Sequence, residues 1–142
     1  MHSEHLNNVR PSWIAFGWFI AAALASAVFF GLIALGLVDP EGQGGAGWMM
    51  LAGAIGFFGG GYAAGARAGA APILHGVGIG LFSLLVWAAA NALLGVPARA
   101  TTWSAAGYRF AGLFLILQMV VAASGARFGA RASRAPTHTP TG

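Results

Sequence analysis

Residues 47–66 read GWMMLAGAIGFFGGGYAAGA, twenty positions without a charge, closed by Arg67. A helix needs about 20 apolar residues to cross a hydrocarbon core of about 30 Å, so this stretch is predicted to span a membrane. Its glycines recur four residues apart, Gly56 with Gly60 and Gly61 with Gly65 and Gly69. That spacing lines one helix face with small residues and lets a neighbouring backbone come close in lipid, where no hydrophobic drive pulls helices together.

Three further runs have the same character: residues 12–38, 73–95 and about 108–126, the last bounded by Arg109 and Arg127. Turn chemistry separates the four spans at Asp39-Pro40-Glu41-Gly42, Gly69-Ala70-Ala71-Pro72 and Gly95-Val96-Pro97. Short connections predict antiparallel hairpins. The expected fold is all-α, an integral membrane four-helix bundle over residues 12–134, with a short segment 1–11 before it and a disordered tail 135–142 after it. Ala25-Ser26-Ala27 has the small-residue form of a signal-peptidase site, but the apolar run continues through Val28-Phe29-Phe30 to Val38, so an uncleaved span is expected.

The composition agrees: 58% of the 142 residues are hydrophobic and 7% charged, against about 25% charged in soluble domains. Seven Arg, no Lys and three acids give a net charge of +4, yet Arg67 is the only formal charge between Gly42 and Ala98, so no basic face exists for nucleic acid. Arg10, Arg67, Arg127, Arg131 and Arg134 fall on one side of the predicted spans; Arg99, Arg109, Asp39 and Glu41 fall on the other. The positive-inside rule then predicts both termini in the cytoplasm, and the chain is expected to be a multi-pass protein of a bacterial inner membrane. Trp13, Trp18, Trp48 and Trp103 with Tyr108 are read as interface aromatics.

Two signatures recur at one offset of 60 residues. Ala46-Gly47-Trp48 returns as Ala106-Gly107-Tyr108, and Gly65-Ala66-Arg67-Ala68-Gly69-Ala70 as Gly125-Ala126-Arg127-Phe128-Gly129-Ala130. A duplicated hairpin is expected, its halves related by a pseudo-two-fold axis along the membrane normal. Gly76 and Gly80 on the third span, with Gly125 and Gly129 on the fourth, complete the small-residue set. The second and third spans are expected to pack most tightly, while the first, bulkier and offering only an Ala23/Ala27/Gly31 stripe, faces lipid.

Chemistry-bearing groups are sparse. Gly59-Gly60-Gly61-Tyr62-Ala63-Ala64 has the form G-x-G-x-x-A, but no acidic residue follows Glu41, so packing explains these glycines better than a dinucleotide does. Without Cys there is no thiolate chemistry, H-E-x-x-H is absent, and His2 and His5 lack further metal ligands. Intramembrane polarity is costly and worth attention: Asn91, Gln118 and His75 are the candidates. Gln118 is expected to hydrogen-bond a neighbouring helix. His75 is expected to be a hydrogen-bonded structural group, although, four residues after Ala71, it resembles the small-residue/His pairing that ligates bacteriochlorophyll, and an imidazole could also ligate haem. Alternatively Arg67, His75 and Arg127 lie at headgroup level, where they would attract anionic lipid. No constellation supports catalysis.

Gly60-Gly61-Tyr62-Ala63-Ala64-Gly65-Ala66-Arg67-Ala68-Gly69 followed by His75-Gly76-Val77-Gly78-Ile79-Gly80 resembles the G-G-x-x-A-G-x-x-A-G…H-G-x-x-x-G pattern of YrzE-like bacterial membrane proteins. The resemblance implies four spans and brings no activity with it. The expectation is a non-enzymatic protein working by helix packing, as an oligomer or as an accessory subunit among other membrane subunits and lipids. Two alternatives stand beside it: a small channel or carrier using Asn91 and Gln118, and a pigment- or haem-holding subunit using His75.

Overall fold

The computed structural model describes residues 6–39, 44–94 and 105–134. Among them are a short 3-10 turn, Leu6–Asn8, and four helices: α1 Pro11–Ala34, α2 Gly45–Ala68, α3 Pro72–Leu94 and α4 Ala105–Ala132. All four are long and apolar enough to cross a membrane, the pattern of a multi-pass membrane protein. Residues 1–5, with His2 and His5, residues 40–43 and 95–104, and the predicted tail 135–142 lie outside the described residues.

Local chemistry accounts for the helix ends. Proline opens α1 and α3, where its missing N–H would have no intrahelical partner anyway. Beyond α1, Gly36 takes φ +69° and its N–H reaches the Ile33 carbonyl, while Leu37 N–H reaches Leu32, the paired bonds of a Schellman stop. Gly69 ends α2 in the same left-handed region, at φ +67°. At 28 residues α4 is about 42 Å long, longer than the roughly 30 Å of a hydrocarbon core.

Two antiparallel hairpins, α1/α2 and α3/α4, lie side by side. In the first, Gly17 sits against Gly60 and Ala64, and Gly56 against Ala21 and Ala25; in the second, Gly76 sits against Ala122 and Ala123, and Gly80 against Met119. The hairpins join through like-directed helices: α2 packs along α4, and α1 meets α3 over a narrower contact. The largest helix contacts are α2 with α4 and α1 with α2, followed by α3 with α4.

The expectation that the second and third spans pack most tightly is therefore corrected: α2 and α3 share the smallest of the bundle's substantial contacts. Gly61 and Gly65 turn instead to α4, where a Cβ on either would fall on the carbonyl oxygen of Ala122 or Ala126. Gly76 and Gly80 also turn to α4. Small residues on α4, Ala122 and Ala126 toward α2 and Ala123 toward α3, make it the common partner. Gly69 packs against nothing; its role is the helix stop. On α1 the seat is Gly17, Ala21 and Ala25, and the expected stripe of Ala23, Ala27 and Gly31 is exposed.

The α2–α4 contact is reciprocal. Gly61 lies over the Ala122 carbonyl as Gly125 lies over that of Phe58, and Gly65 over Ala126 as Gly129 over Tyr62. Shifting by 64 positions (61 to 125, 65 to 129, 58 to 122, 62 to 126) exchanges the two helices. The sequence repeat has an offset of 60, so the contact sits one helical turn away from it. This two-fold relation stops at the contact. On α2, α1 covers Gly56, Gly60 and Ala64; the positions 64 later, Val120, Ser124 and Phe128, are not covered in the same way, with Val120 60% and Phe128 55% exposed.

Bulk at the reciprocal glycines must separate two backbones. Gly61→Leu or Gly65→Leu is expected to cost at least about 3 kcal/mol or to prevent assembly. Leu24→Ala, on the half-exposed side of α1, is expected to cost under about 1 kcal/mol. Thermal unfolding in detergent compares them; equal, small losses would contradict the packing described here.

Candidate functional site

One end of the bundle gathers the positive charge. The start of α1, the end of α2, the start of α3 and the end of α4 meet there, bringing Arg10, Arg67, Arg127, Arg131 and Arg134 to that end, all exposed. Arg134 Nη2 donates to the Gly69 carbonyl at 2.7 Å, capping α2 from the chain beyond α4. Asp39 and Arg109 belong to the opposite end.

His75 lies just inside the charged end and has no exposed surface. Its Nδ1 is 2.9 Å from the Ala71 carbonyl and its Nε2 is 3.1 Å from the backbone N of Arg10. An amide N–H can only donate and a carbonyl can only accept, so the proton sits on Nδ1, Nε2 accepts, and the imidazole is neutral. The bond from Arg10 ties the start of α1 to α3. Ala71, immediately before Pro72, holds φ +45°, a left-handed conformation that costs an alanine roughly 1–2 kcal/mol. Its carbonyl accepts both the His75 ring and the His75 backbone N–H, at 3.1 Å.

Each ring nitrogen is engaged within the bundle and the side chain is sealed, the surroundings of a structural imidazole, with no lone pair left to face a bacteriochlorophyll or haem. Arg67 and Arg127 are exposed at the charged end of the bundle, whereas His75 is buried. The α1–α3 contact continues through Ile14 against Gly78 and through Trp18, whose Nε1 donates to Ser83 Oγ at 2.8 Å and whose ring meets Phe82 edge-on at 5.5 Å. Trp18 is thus an internal strut rather than an interface anchor.

The other half of the bundle is looser. Where Gly61 and Gly65 put backbone on backbone, Gly53 further along α2 faces the ring of Phe114 instead. The helices spread, and a cavity of about 470 Å³ lies between residues of all four, among them Trp18, Phe30, Phe57, Trp87 and Phe114. Gln118 is on its wall and is 7% exposed. The expected bond from Gln118 to a neighbouring helix is not made: its Oε1 is buried without a hydrogen-bond partner. Asn91 sits on α3, and its side chain lies outside the described residues.

Sequence reasoning singled out His75 and Gln118, and these are the buried polar side chains among the described residues. It missed Trp18–Ser83 and Arg10–His75. Both join positions 65 apart, a register that only the packed bundle defines. Among the described residues no group of three or more metal-ligating side chains comes together. No family model, curated protein or solved structure matches this chain.

Removing the imidazole breaks the α1–α3 tie and leaves a void. His75→Ala is expected to lower stability by about 2–4 kcal/mol, measured as thermal unfolding in detergent. Replacing Trp18 by Phe keeps the ring and removes the donor to Ser83, and is expected to cost about 1 kcal/mol.

Proposed function

We propose that this chain is a non-enzymatic multi-pass protein of a bacterial inner membrane that works by helix packing, as an oligomer or as an accessory subunit of a larger membrane complex. The observation that carries this reading is the uncovered face of α4. Ile116, Val120 and Phe128 are each more than half exposed. Val120 and Phe128 stand where the local two-fold relation would seat the counterpart of α1. A helix from a second copy or from another subunit completes that face. Hydrogen bonds at the charged end join helix to helix, which fits a structural role.

The orientation in this proposal puts the arginine-rich end, and so both termini, in the cytoplasm. Anionic lipid headgroups are the matching chemistry for Arg67 and Arg127. The proposal includes an ancestral hairpin duplication and kinship with YrzE-like proteins, supported by the repeat at offset 60 and by the glycine pattern that here lies largely on packing surfaces. A second reading, a small channel or carrier, is favoured only by Gln118 lining a cavity.

Two measurements test it. Reporter fusions at residue 142 and in the loop after Asp39 should report opposite sides, the former cytoplasmic; the same side for both overturns the topology. A photo-crosslinker at Val120 or Phe128, activated in intact membranes, should give a discrete protein adduct, whereas one at Leu35, exposed beyond the end of α1, should not. Lipid adducts alone at all three positions would overturn the subunit reading.

A further inference from the structure

We propose that the cavity between the four helices is a binding site for a membrane-soluble phenol or hydroquinone, with its hydroxyl held by the side-chain amide of Gln118. Four observations lead there. The cavity is a cleft of about 470 Å³ that opens to the outside of the bundle past the exposed Phe30 and Trp87, and it falls in the range of small-molecule clefts and cavities, roughly 300–1,000 Å³. Small residues hold it open: Ala22, Ala52, Gly53 and Ala90 form wall where leucines would close it. Rings dominate the rest of the wall, Trp18, Phe29, Phe30, Phe57, Trp87 and Phe114, and aromatic edges and faces favour a planar aromatic guest over a flexible acyl chain. Finally, Gln118 is 93% buried, borders the cavity and has Oε1 unpaired.

The last observation sets the polar end of the guest. A buried amide oxygen without a partner is unfavourable in an apolar surrounding, and as an acceptor it calls for a hydroxyl donor. An acyl chain would fill the space and leave that amide unsatisfied. A hydroxyl on an aromatic ring satisfies it and places the ring among the tryptophans and phenylalanines. Ser83 is already engaged by Trp18 and Ser26 is exposed on the outer wall, so Gln118 is the buried group left to orient the guest.

The test uses the full chain in detergent and follows its unfolding temperature against naphthol, naphthalene and decanol. Naphthol is expected to raise the temperature by several degrees with saturation, and naphthalene and decanol to do so only at higher concentration. Gln118→Leu should weaken naphthol about tenfold and leave naphthalene unchanged. Without any probe it should raise the unfolding temperature, because no hydrogen bond is lost. Ala90→Phe should remove the naphthol effect by filling the wall; if Gln118→Leu does not fold, Gln118→Met and Ala90→Phe carry the test. Equal shifts from naphthol and decanol, or a naphthol shift that survives Ala90→Phe, would overturn the proposal.

Discussion

The bundle depends on the approach of two backbones at Gly61, Gly65, Gly125 and Gly129. In lipid, helices gain little from burying apolar surface against each other, because hydrocarbon solvates that surface equally well. What remains is dispersion over closely fitted surfaces and weak Cα–H···O contacts, and both require the absence of a Cβ. At each of these four positions a Cβ would lie on the carbonyl oxygen of the facing helix. That contact fixes α2 beside α4. Each of the two then carries its own outer helix, α1 on the Gly56/Gly60 face and α3 on the Ala123 face. Toward the other end the Phe114 ring stands against Gly53 in place of backbone, and the cavity beside Gln118 lies there.

Much of this was legible in the sequence, but unevenly. Span number follows from charge-free length, a quantity the bilayer imposes. The glycine surfaces were visible too. Which helix each surface meets was not, because a small face announces close approach and says nothing of the partner. On α2, Gly56 and Gly60 point toward α1 while Gly61 and Gly65, one residue further on and so about 100° around the helix, point toward α4. Reading all of them as one surface for the next helix in sequence led to the wrong neighbour. The repeat offset and the contact register differ by a single turn: the matching motifs lie at the helix ends, whereas the close approach of the two backbones sets the register between them.

Polar residues show the same division. His75 and Gln118 stood out as costly in a membrane, and both are buried. The partner of His75, however, is the backbone N–H of Arg10, a group that every residue but proline possesses and that no side-chain pattern reveals. The other partner, the Ala71 carbonyl, is set by a left-handed alanine squeezed between the end of α2 and Pro72. A tight turn thus carries backbone strain, and the hydrogen bonds it directs at His75 help to hold α3 in place beside α1.

The seating of α2 also has a consequence for how the chain is made. Its glycines leave it the least hydrophobic of the four spans, while α1 is the most hydrophobic. During synthesis α1 emerges first and can anchor in the bilayer unaided; α2 then enters with Gly56 and Gly60 against a helix already in place. Among these four helices the Gly61/Gly65 face has no partner until α4, made after the other three, arrives. Until then the membrane holds a half-built molecule whose stickiest surface is open to any neighbouring helix, including α2 of another nascent copy. Biogenesis is therefore a race between completion of the chain and premature pairing, and the short turn from Gly69 to Pro72 favours completion by delivering the second hairpin at once beside the first.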